Sequence, residues 1–297
     1  AVDRRLGITV AVKHSAETHE HLRQAFVREA RLLAGLRHPS LPVVSDHFVL
    51  ADGQYLVSEL VHGEDVAALL HREQRRCTVA EALTWADHLL DALEYLHRQS
   101  PPVIHRDIKP GNLRLRTDGR LMLLDFGIAK LRETKTDNFL TQAGTIIGTP
   151  QYMSPEQAAG EPVDARSDIW SLGVVMFEFF CERKPFKGNT AGEMLASMQE
   201  KDQETFIGTL PGGLEKVICR AMRRDPDERY QDAADMLSGI KAVRKIWPDD
   251  NSIGSTRKID TAGKDDTEGR AVRSSAARWS GPRAIMIGIL FLAAAIA

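Results

Sequence analysis

The segment His105–Asn112 reads HRDIKPGN, and eighteen positions after its aspartate a DFG triplet begins at Asp125. Asp107 is a candidate base that orients a hydroxyl proton, and Lys109 can steady the charge on a transferring phosphoryl group. Asn112 and Asp125 supply oxygen atoms, the ligand type that Mg²⁺ prefers. These residue types at this spacing predict phosphoryl transfer, in which a protein contributes mainly positioning and charge neutralisation.

Two short strands must bring the metal-directed residues together. Residues 113–116 alternate leucine with arginine, Asp118-Gly119 is typical of a turn, and residues 121–124 form an apolar run. This pattern predicts a β-hairpin. Its two ends would then hold Asn112 and Asp125 near one bound nucleotide.

HRDIKPGN and DFG together resemble the motifs of eukaryotic-type (Hanks-type) protein kinases. The lysine two positions after the HRD aspartate resembles the pattern of the serine/threonine branch of that family. The resemblance covers residues 1–245 and is closest to bacterial receptor-like membrane kinases. It implies an α+β, two-lobed kinase fold, with a small β-rich lobe, incomplete here, and a larger, mainly helical lobe. It also implies ATP and Mg²⁺ as cofactors and proteins with serine or threonine hydroxyls as substrates.

Upstream of HRD, Val10–Lys13 reads VAVK and is typical of a strand, and Glu29 lies in a segment with helical apolar spacing. The resemblance implies that Lys13 binds the α- and β-phosphates beside Ala11. It implies that Glu29 holds Lys13 through an ion pair. Taken alone, a strand lysine is more often a solvated surface residue.

The segment Tyr55–Val61, YLVSELV, resembles the last small-lobe strand and the hinge between the lobes. Backbone groups of Glu59 and Val61 would then meet adenine. Ser58 would stand at the gatekeeper position, where a small side chain predicts a back pocket open to bulky inhibitors.

The chain departs from the family pattern in two ways. It contains no GxGxxG motif, and it begins without methionine at a point that aligns just before the third strand, so we expect an amino-terminal truncation. Arg114 stands where the family usually places an apolar residue beneath adenine. We expect its methylene stem to lie along the base with its head in water, and nucleotide binding to be weakened.

The activation segment is expected to run from Asp125 to Glu156. The resemblance implies that Thr149 helps to form the wall that receives the substrate residue. Thr141 and Thr145 lie in a polar stretch and are the first candidates for phosphorylation, the alternative being that they are merely solvated. Arg106 could bind such a phosphate and thereby order the loop.

Other segments predict the framework of the large lobe. Apolar residues recur at helical spacing over 79–97, and an apolar segment that opens at Asp168 is typical of a buried helix. The resemblance implies that Asp168 holds the backbone of the HRD segment. It also implies that Arg229 pairs with Glu156, the glutamate of the SPE triplet.

Composition argues against nucleic-acid binding and against a zinc site or disulfide framework. With 297 residues, 43% hydrophobic content and a net charge of −2, the chain shows no preference for nucleic acid. Its three cysteines have no CxxC spacing, which favours reduced thiols in a cytosolic domain over a zinc site or a disulfide framework.

The carboxy-terminal part differs in character. Residues 246–283 are polar and predict a disordered juxtamembrane linker, whereas residues 284–297 are wholly apolar. At 1.5 Å per residue this run spans about 21 Å, less than the roughly 30 Å core of a bilayer, so we interpret it as the start of a truncated transmembrane helix. The preceding arginines predict a single-pass protein of the cell membrane with its kinase domain in the cytoplasm. A short tail docked on the kinase is the alternative.

The sequence therefore predicts a membrane-anchored signalling enzyme that transfers the γ-phosphate of ATP to protein serine and threonine and is activated by loop phosphorylation. Self-association for autophosphorylation would suit this interpretation. A pseudokinase-like scaffold is the alternative, because the glycine motif is absent and Arg114 is unusual. A small-molecule kinase is disfavoured by the SPE segment, which serves to dock a polypeptide.

Overall fold

The small lobe is built on an antiparallel sheet of alternating strands. A computed structural model describes residues 1–16, 19–72, 77–126, 150–181, 183–200 and 213–246, all of which belong to one compact unit, Ala1–Asp250. Its first sheet has the order β1-β2-β4-β3. The strands are β1 (Val2–Asp3), β2 (Ile8–Ser15), β3 (Val44–Leu50) and β4 (Gly53–Glu59).

The VAVK segment forms the middle of β2, as predicted. Ala11 pairs with Ser58 and Lys13 with Leu56 on the antiparallel neighbour β4. Because successive side chains of a strand point to opposite faces, Ala11 and Lys13 share one face of the sheet. The predicted hinge strand begins two residues earlier than expected, at Gly53, and ends at Glu59.

Helix α1 (Glu20–Ala34) follows β2 and carries the apolar stripe that the sequence predicts. Phe26, Ala30 and Leu33 lie at helical spacing and are buried. Burial of this stripe attaches α1 to the rest of the core, since an amphipathic helix gains most of its stability from such packing.

A second, three-stranded antiparallel sheet carries the catalytic segments. Its strands β5 (Glu64–Asp65), β6 (Leu113–Leu115) and β7 (Leu121–Leu123) lie in the order β5-β6-β7. The predicted hairpin is confirmed: β6 and β7 pair with Leu113 opposite Leu123.

The large lobe is mainly helical, which confirms the predicted two-lobed α+β fold. Its helices within the described residues are α2 (Val66–His71), α3 (Val79–His97), α4 (Pro155–Ala159), α5 (Ala165–Cys181), α6 (Ala191–Glu200), α7 (Leu214–Ala221) and α8 (Ala233–Ile246). Helix α3 begins with a capping box between Thr78 and Glu81. Helix α5 is buried on all sides, so it forms the centre of this lobe.

Within the described ranges, no helix is long and apolar enough to cross a membrane. The predicted linker at 246–283, apart from Ile246 at the end of α8, and the apolar segment 284–297 lie outside those ranges.

Candidate active site

The carboxylate of Asp107 is held by two neighbours from the same loop. Lys109 donates from Nζ to Oδ2 at 2.9 Å, and the Asn112 side-chain amide donates to Oδ2 at 2.9 Å and to the Asp107 carbonyl at 2.8 Å. Charge-assisted bonds of this kind favour the ionised carboxylate and fix its direction. Asp107 is thus positioned to accept or orient a proton, as the sequence predicts for a base.

Backbone bonds at Leu124 join the HRD and DFG segments. The Leu124 amide donates to the carbonyl of Asn112 at 2.8 Å, and the His105 Nε2 atom bonds the Leu124 carbonyl at 3.1 Å. Leu124 immediately precedes Asp125. The β6–β7 pairing therefore brings Asn112 and Asp125 together.

Lys13 reaches this region from the small lobe. Its Nζ donates to the carbonyl of Phe126 at 3.2 Å and lies 3.8 Å from Oδ1 of Asp125. Glu29 lies in helix α1, but its side chain is outside the described part, so its ion pair with Lys13 stays a prediction. The structure thus joins the VAVK strand to the DFG segment.

The donor set around Asp125 fits a divalent cation and a nucleotide phosphate. Asn112 uses its amide nitrogen for Asp107, so the amide oxygen is the atom that a cation would take. The Asp125 side chain is 61% exposed. Two oxygen donors of this kind suit Mg²⁺, which keeps several water and phosphate ligands, and the Lys13 ammonium beside them suits phosphate.

The backbone is left-handed at two residues of the site. Arg106 has φ 64° and Asp125 has φ 50°. For a residue with a side chain this conformation costs roughly 1–2 kcal/mol, so surrounding bonds must hold it. Asp168 supplies two of them: its Oδ2 accepts from the His105 amide and its Oδ1 from the Arg106 amide, both at 2.8 Å.

Asp168 itself is fully buried and is bonded by a histidine that the sequence analysis did not single out. His97, at the end of α3, contacts Oδ2 of Asp168 through Nε2 at 2.9 Å. Burial alone would raise the pKa of Asp168, but the bond and charge of His97 and the His105 amide outweigh it, and the net pKa is lowered. The ionised carboxylate can therefore hold the HRD backbone.

His105 is a neutral spacer inside the HRD segment. Its complete burial lowers the pKa of its imidazole. Its Nδ1 accepts from the Asp107 amide at 3.4 Å while its Nε2 faces the Leu124 carbonyl. The Nε2–H tautomer satisfies both contacts, so His105 links the base to the strand that precedes DFG.

Comparison with known proteins agrees with this geometry. Residues 1–239 match the sequence profile described as "Protein kinase domain". The chain belongs to the protein kinase family. It falls among the eukaryotic-type serine/threonine kinases, and the relatives that it matches are named serine/threonine-protein kinases.

Three bacterial relatives illustrate the match. A probable serine/threonine-protein kinase of Streptomyces coelicolor is 35% identical over 266 residues, covering 86% of this chain and 38% of that protein. PknA of Mycobacterium tuberculosis is 33% identical over 252 residues, with 82% and 57% covered. PknB of the same species is 33% identical over 266 residues, with 87% and 40% covered. The chain thus spans 38–57% of these relatives' lengths.

Among solved structures, the chain is similar to Rad53 1–466 in complex with AMP-PNP. The TM-score is 0.64 and the identity is 23%, with 80% of this chain and 59% of that chain covered. At this identity the likeness shows the protein kinase fold.

The predicted hinge follows directly after β4. The Glu59 amide donates to the Val43 carbonyl at 2.8 Å, and Val61 is buried; their contact with adenine stays a prediction. Gly63 has φ 151°, and a Cβ there would lie 2.2 Å from the Leu115 carbonyl oxygen. Only glycine lets the hinge approach β6 this closely.

Arg114 lies on β6 opposite Asp65 of β5. Its Nη1 donates to the Gly63 carbonyl at 3.4 Å, and its Nη2 lies 3.9 Å from Asp65, with 34% of the side chain exposed. The head is therefore directed to the hinge backbone as well as to water, which the sequence analysis did not anticipate. A nearby carbonyl and carboxylate account for this direction.

A buried ion pair anchors the end of the activation segment. Arg229, 0% exposed, donates to both carboxylate oxygens of Glu156 at 2.8 Å, and Ser167 donates to the same carboxylate. Arg229 also donates to three backbone carbonyls. Burial would raise the pKa of Glu156, but Arg229 lowers it overall, so the pair is ionised.

The candidate regulatory threonines Thr141, Thr145 and Thr149 lie outside the described residues. Arg106 is described, and its Nε is buried with no hydrogen-bond partner among the described residues.

Sequence reasoning also missed a contact between the SPE segment and the catalytic loop. Gln157, directly after the SPE triplet, donates from Nε2 to the Arg106 carbonyl at 3.0 Å. Its position next to a recognised motif was the available signal, but a glutamine there is also a common capping residue.

Proposed function

We propose that this chain transfers the γ-phosphoryl group of ATP to serine and threonine hydroxyls of proteins. The observation that carries the proposal is the meeting of three segments at one place. Lys13 from β2 lies at the DFG segment, and the Asp107 loop is bonded to the residue that precedes Asp125. Such an arrangement suits a reaction that depends on positioning and charge neutralisation.

Each residue has a chemical role in the proposed reaction. Asp107 accepts or orients the proton of the acceptor hydroxyl, and its direction is fixed by Lys109 and Asn112. Lys109 then faces the transferring group, and Lys13 faces the non-transferred phosphates. Bound Mg²⁺, held by oxygens of Asn112 and Asp125, would neutralise phosphate charge.

Protein substrates would dock at the end of the activation segment. Residues 150–157 are tied to the catalytic loop by Gln157 and to α5 by Ser171, which donates to the Tyr152 carbonyl at 2.8 Å. A segment fixed in this way offers a surface for polypeptide beside the base. The serine/threonine kinase names of the relatives support the same substrate class.

Regulation by loop phosphorylation is part of the proposal. The buried Nε of Arg106 lacks a partner within the described residues, and a phosphothreonine at Thr141 or Thr145 would supply one with nearly two negative charges. Mass spectrometry of the active protein should detect phosphate between residues 131 and 149. Full activity without any phosphate there would contradict this regulation.

Membrane attachment is also proposed, from the sequence of residues 284–297. The apolar run AIMIGILFLAAAIA is preceded by arginines, which favours an orientation with the kinase in the cytoplasm. Partition of the chain into vesicles, lost when residues 284–297 are deleted, would support this anchor. Equal partition of the deleted form would contradict it.

The enzymatic proposal is tested by incubation with Mg²⁺ and ATP. We expect phosphoserine or phosphothreonine on the chain and on a general protein substrate, and we expect Lys13→Met to abolish both. Lys241→Met, which alters an exposed lysine of α8, is the control and should retain activity. If the parent chain binds ATP but transfers no phosphate, even with its upstream residues included, a scaffolding role is favoured.

A further inference from the structure

The backbone of Arg106 is held from two directions by two different helices. Its amide donates to Asp168 of α5 at 2.8 Å, and its carbonyl accepts from Gln157 of α4 at 3.0 Å. Arg106 has a left-handed φ of 64° and immediately precedes Asp107. Because this conformation is unfavourable for arginine, its persistence depends on such bonds. The direction in which the chain enters Asp107 therefore depends on both helices.

Hydrogen bonds fix the orientation of the Gln157 side-chain amide. Its Oε1 accepts from the Ser154 amide at 3.1 Å and from the Ser154 hydroxyl at 3.3 Å, and only 4% of the residue is exposed. The bond from the Ser154 amide, together with the one that the Gln157 amide donates to Ser154 Oγ at 3.3 Å, forms a capping box at the start of α4. With the oxygen committed to Ser154, the amide nitrogen is left to face the Arg106 carbonyl. A glutamate would serve the capping box equally well but could not donate to Arg106.

Helix α4 is itself fixed to the large lobe. Glu156, the neighbour of Gln157, is bound through both carboxylate oxygens by Arg229. A displacement of the segment that precedes α4 would therefore act on a helix that contacts the catalytic loop directly. Gln157 makes this contact through its hydrogen bond to the Arg106 carbonyl.

We propose that Gln157 is a positioning residue for phosphoryl transfer: it couples the SPE segment to Asp107 by holding the Arg106 carbonyl. The expected effect on kcat rests on the proposed kinase function. The expected effect on the backbone of the catalytic loop rests on the geometry alone. The Gln157 amide would favour the arrangement of Asp107 that suits transfer, without contacting ATP or the acceptor.

Two variants of the full chain separate this role from capping. Gln157→Glu keeps the acceptor for Ser154 and removes the donor to Arg106, whereas Gln157→Leu removes both without adding a charge. Gln99→Glu is the matched control, because Gln99 likewise donates from its side-chain amide to a backbone carbonyl, that of Tyr95 at 2.8 Å in α3. Each variant is compared at a temperature at which circular dichroism shows it folded.

We expect kcat to fall about tenfold in both Gln157 variants, the rate equivalent of roughly one hydrogen bond, with the KM for ATP changed less than about twofold. Amides of residues 105–112 should exchange hydrogen faster in both variants. In Gln99→Glu, kcat and exchange in that segment should match the parent chain.

Three results would overturn the proposal. Unchanged kcat in Gln157→Leu would assign any loss in Gln157→Glu to the added charge. Unchanged kcat in Gln157→Glu would show that Gln157 acts only as a helix-capping residue. Unchanged hydrogen exchange over residues 105–112 in both variants would refute the coupling even if the parent chain proves inactive. Inactivity of the parent would count against the kinase function alone.

Discussion

Arg114 departs from the family pattern at the proposed nucleotide site. A guanidinium beneath adenine must give up part of its hydration when the base binds, and its contacts to Gly63 at 3.4 Å and Asp65 at 3.9 Å are too long to compensate fully. We therefore expect Arg114→Leu to strengthen ATP binding about threefold to tenfold, as measured by calorimetry. Arg120→Leu, in the same hairpin, is the control. Equal or weaker binding by Arg114→Leu would contradict this account of the adenine floor.

Ser58 stands at the predicted gatekeeper position of the same proposed nucleotide site. It lies opposite Ala11 across β2 and β4, so two small side chains adjoin the predicted back pocket. A methionine would fill that space, and we expect Ser58→Met to weaken bulky ATP-competitive inhibitors about tenfold or more while ATP still binds. Ser45→Met on β3 provides the comparison. Equal inhibitor affinity in the parent chain and Ser58→Met would show that the pocket is closed.

At the scale of elements, α4 depends on the buried pair of Glu156 and Arg229. Removal of one partner from a buried, hydrogen-bonded ion pair costs roughly 3–5 kcal/mol, because the other charge is left buried. We expect Arg229→Ala to lower the free energy of unfolding by about that amount in urea titrations. Arg98→Ala, which breaks a surface i,i+4 pair with Glu94, should cost no more than about 1 kcal/mol. A fully stable and active Arg229→Ala chain would refute the importance of the pair.

Elements with strong local periodicity were predictable from the sequence. The hairpin of β6 and β7, the long helix α3 and the buried helix α5 all follow from the spacing of apolar residues. The contacts that hold the HRD backbone were only partly predictable. The resemblance assigned Asp168 to this role, but His97 and Gln157 reach their partners across long stretches of chain, and no local pattern encodes a contact of that kind.

The directions of side chains could likewise not be predicted from the sequence. The sequence placed Arg114 in the adenine floor, yet the direction of its head depends on where β5 and the hinge lie. Lys13 was expected at the phosphates, and its proximity to the Phe126 carbonyl depends on how the small lobe meets the DFG segment. Packing between elements decides both, so residue types alone could not.

For the molecule as a whole, acidity should weaken the fold in two steps. Burial lowers the pKa of His105, so the unfolded chain takes up its proton first and stability falls as the pH drops below about 6.5. Asp168 and Glu156 have lowered pKa values, and their contribution is lost only at lower pH, below about 4.5.

Urea unfolding between pH 7.5 and 5.5 isolates the first step. The protonation of His105 can change the free energy of unfolding by up to about 1.4 kcal/mol per pH unit, the value for uptake of one proton. This contribution should vanish in His105→Gln. Identical slopes in the parent chain and His105→Gln would show that His105 is not held neutral by the fold.

The central claim is that the three convergent segments form a working phosphoryl-transfer site with Asp107 as its base. The most direct measurement is the rate of phosphate transfer from Mg²⁺-ATP to a protein substrate by the parent chain, Asp107→Asn and Asp118→Asn. Asp118 lies in the turn of the β6–β7 hairpin and tests the same chemical change at an exposed site. We predict that Asp107→Asn lowers kcat by about 100-fold or more, with ATP affinity retained, and that Asp118→Asn matches the parent. Equal rates in the parent chain and Asp107→Asn would contradict the account.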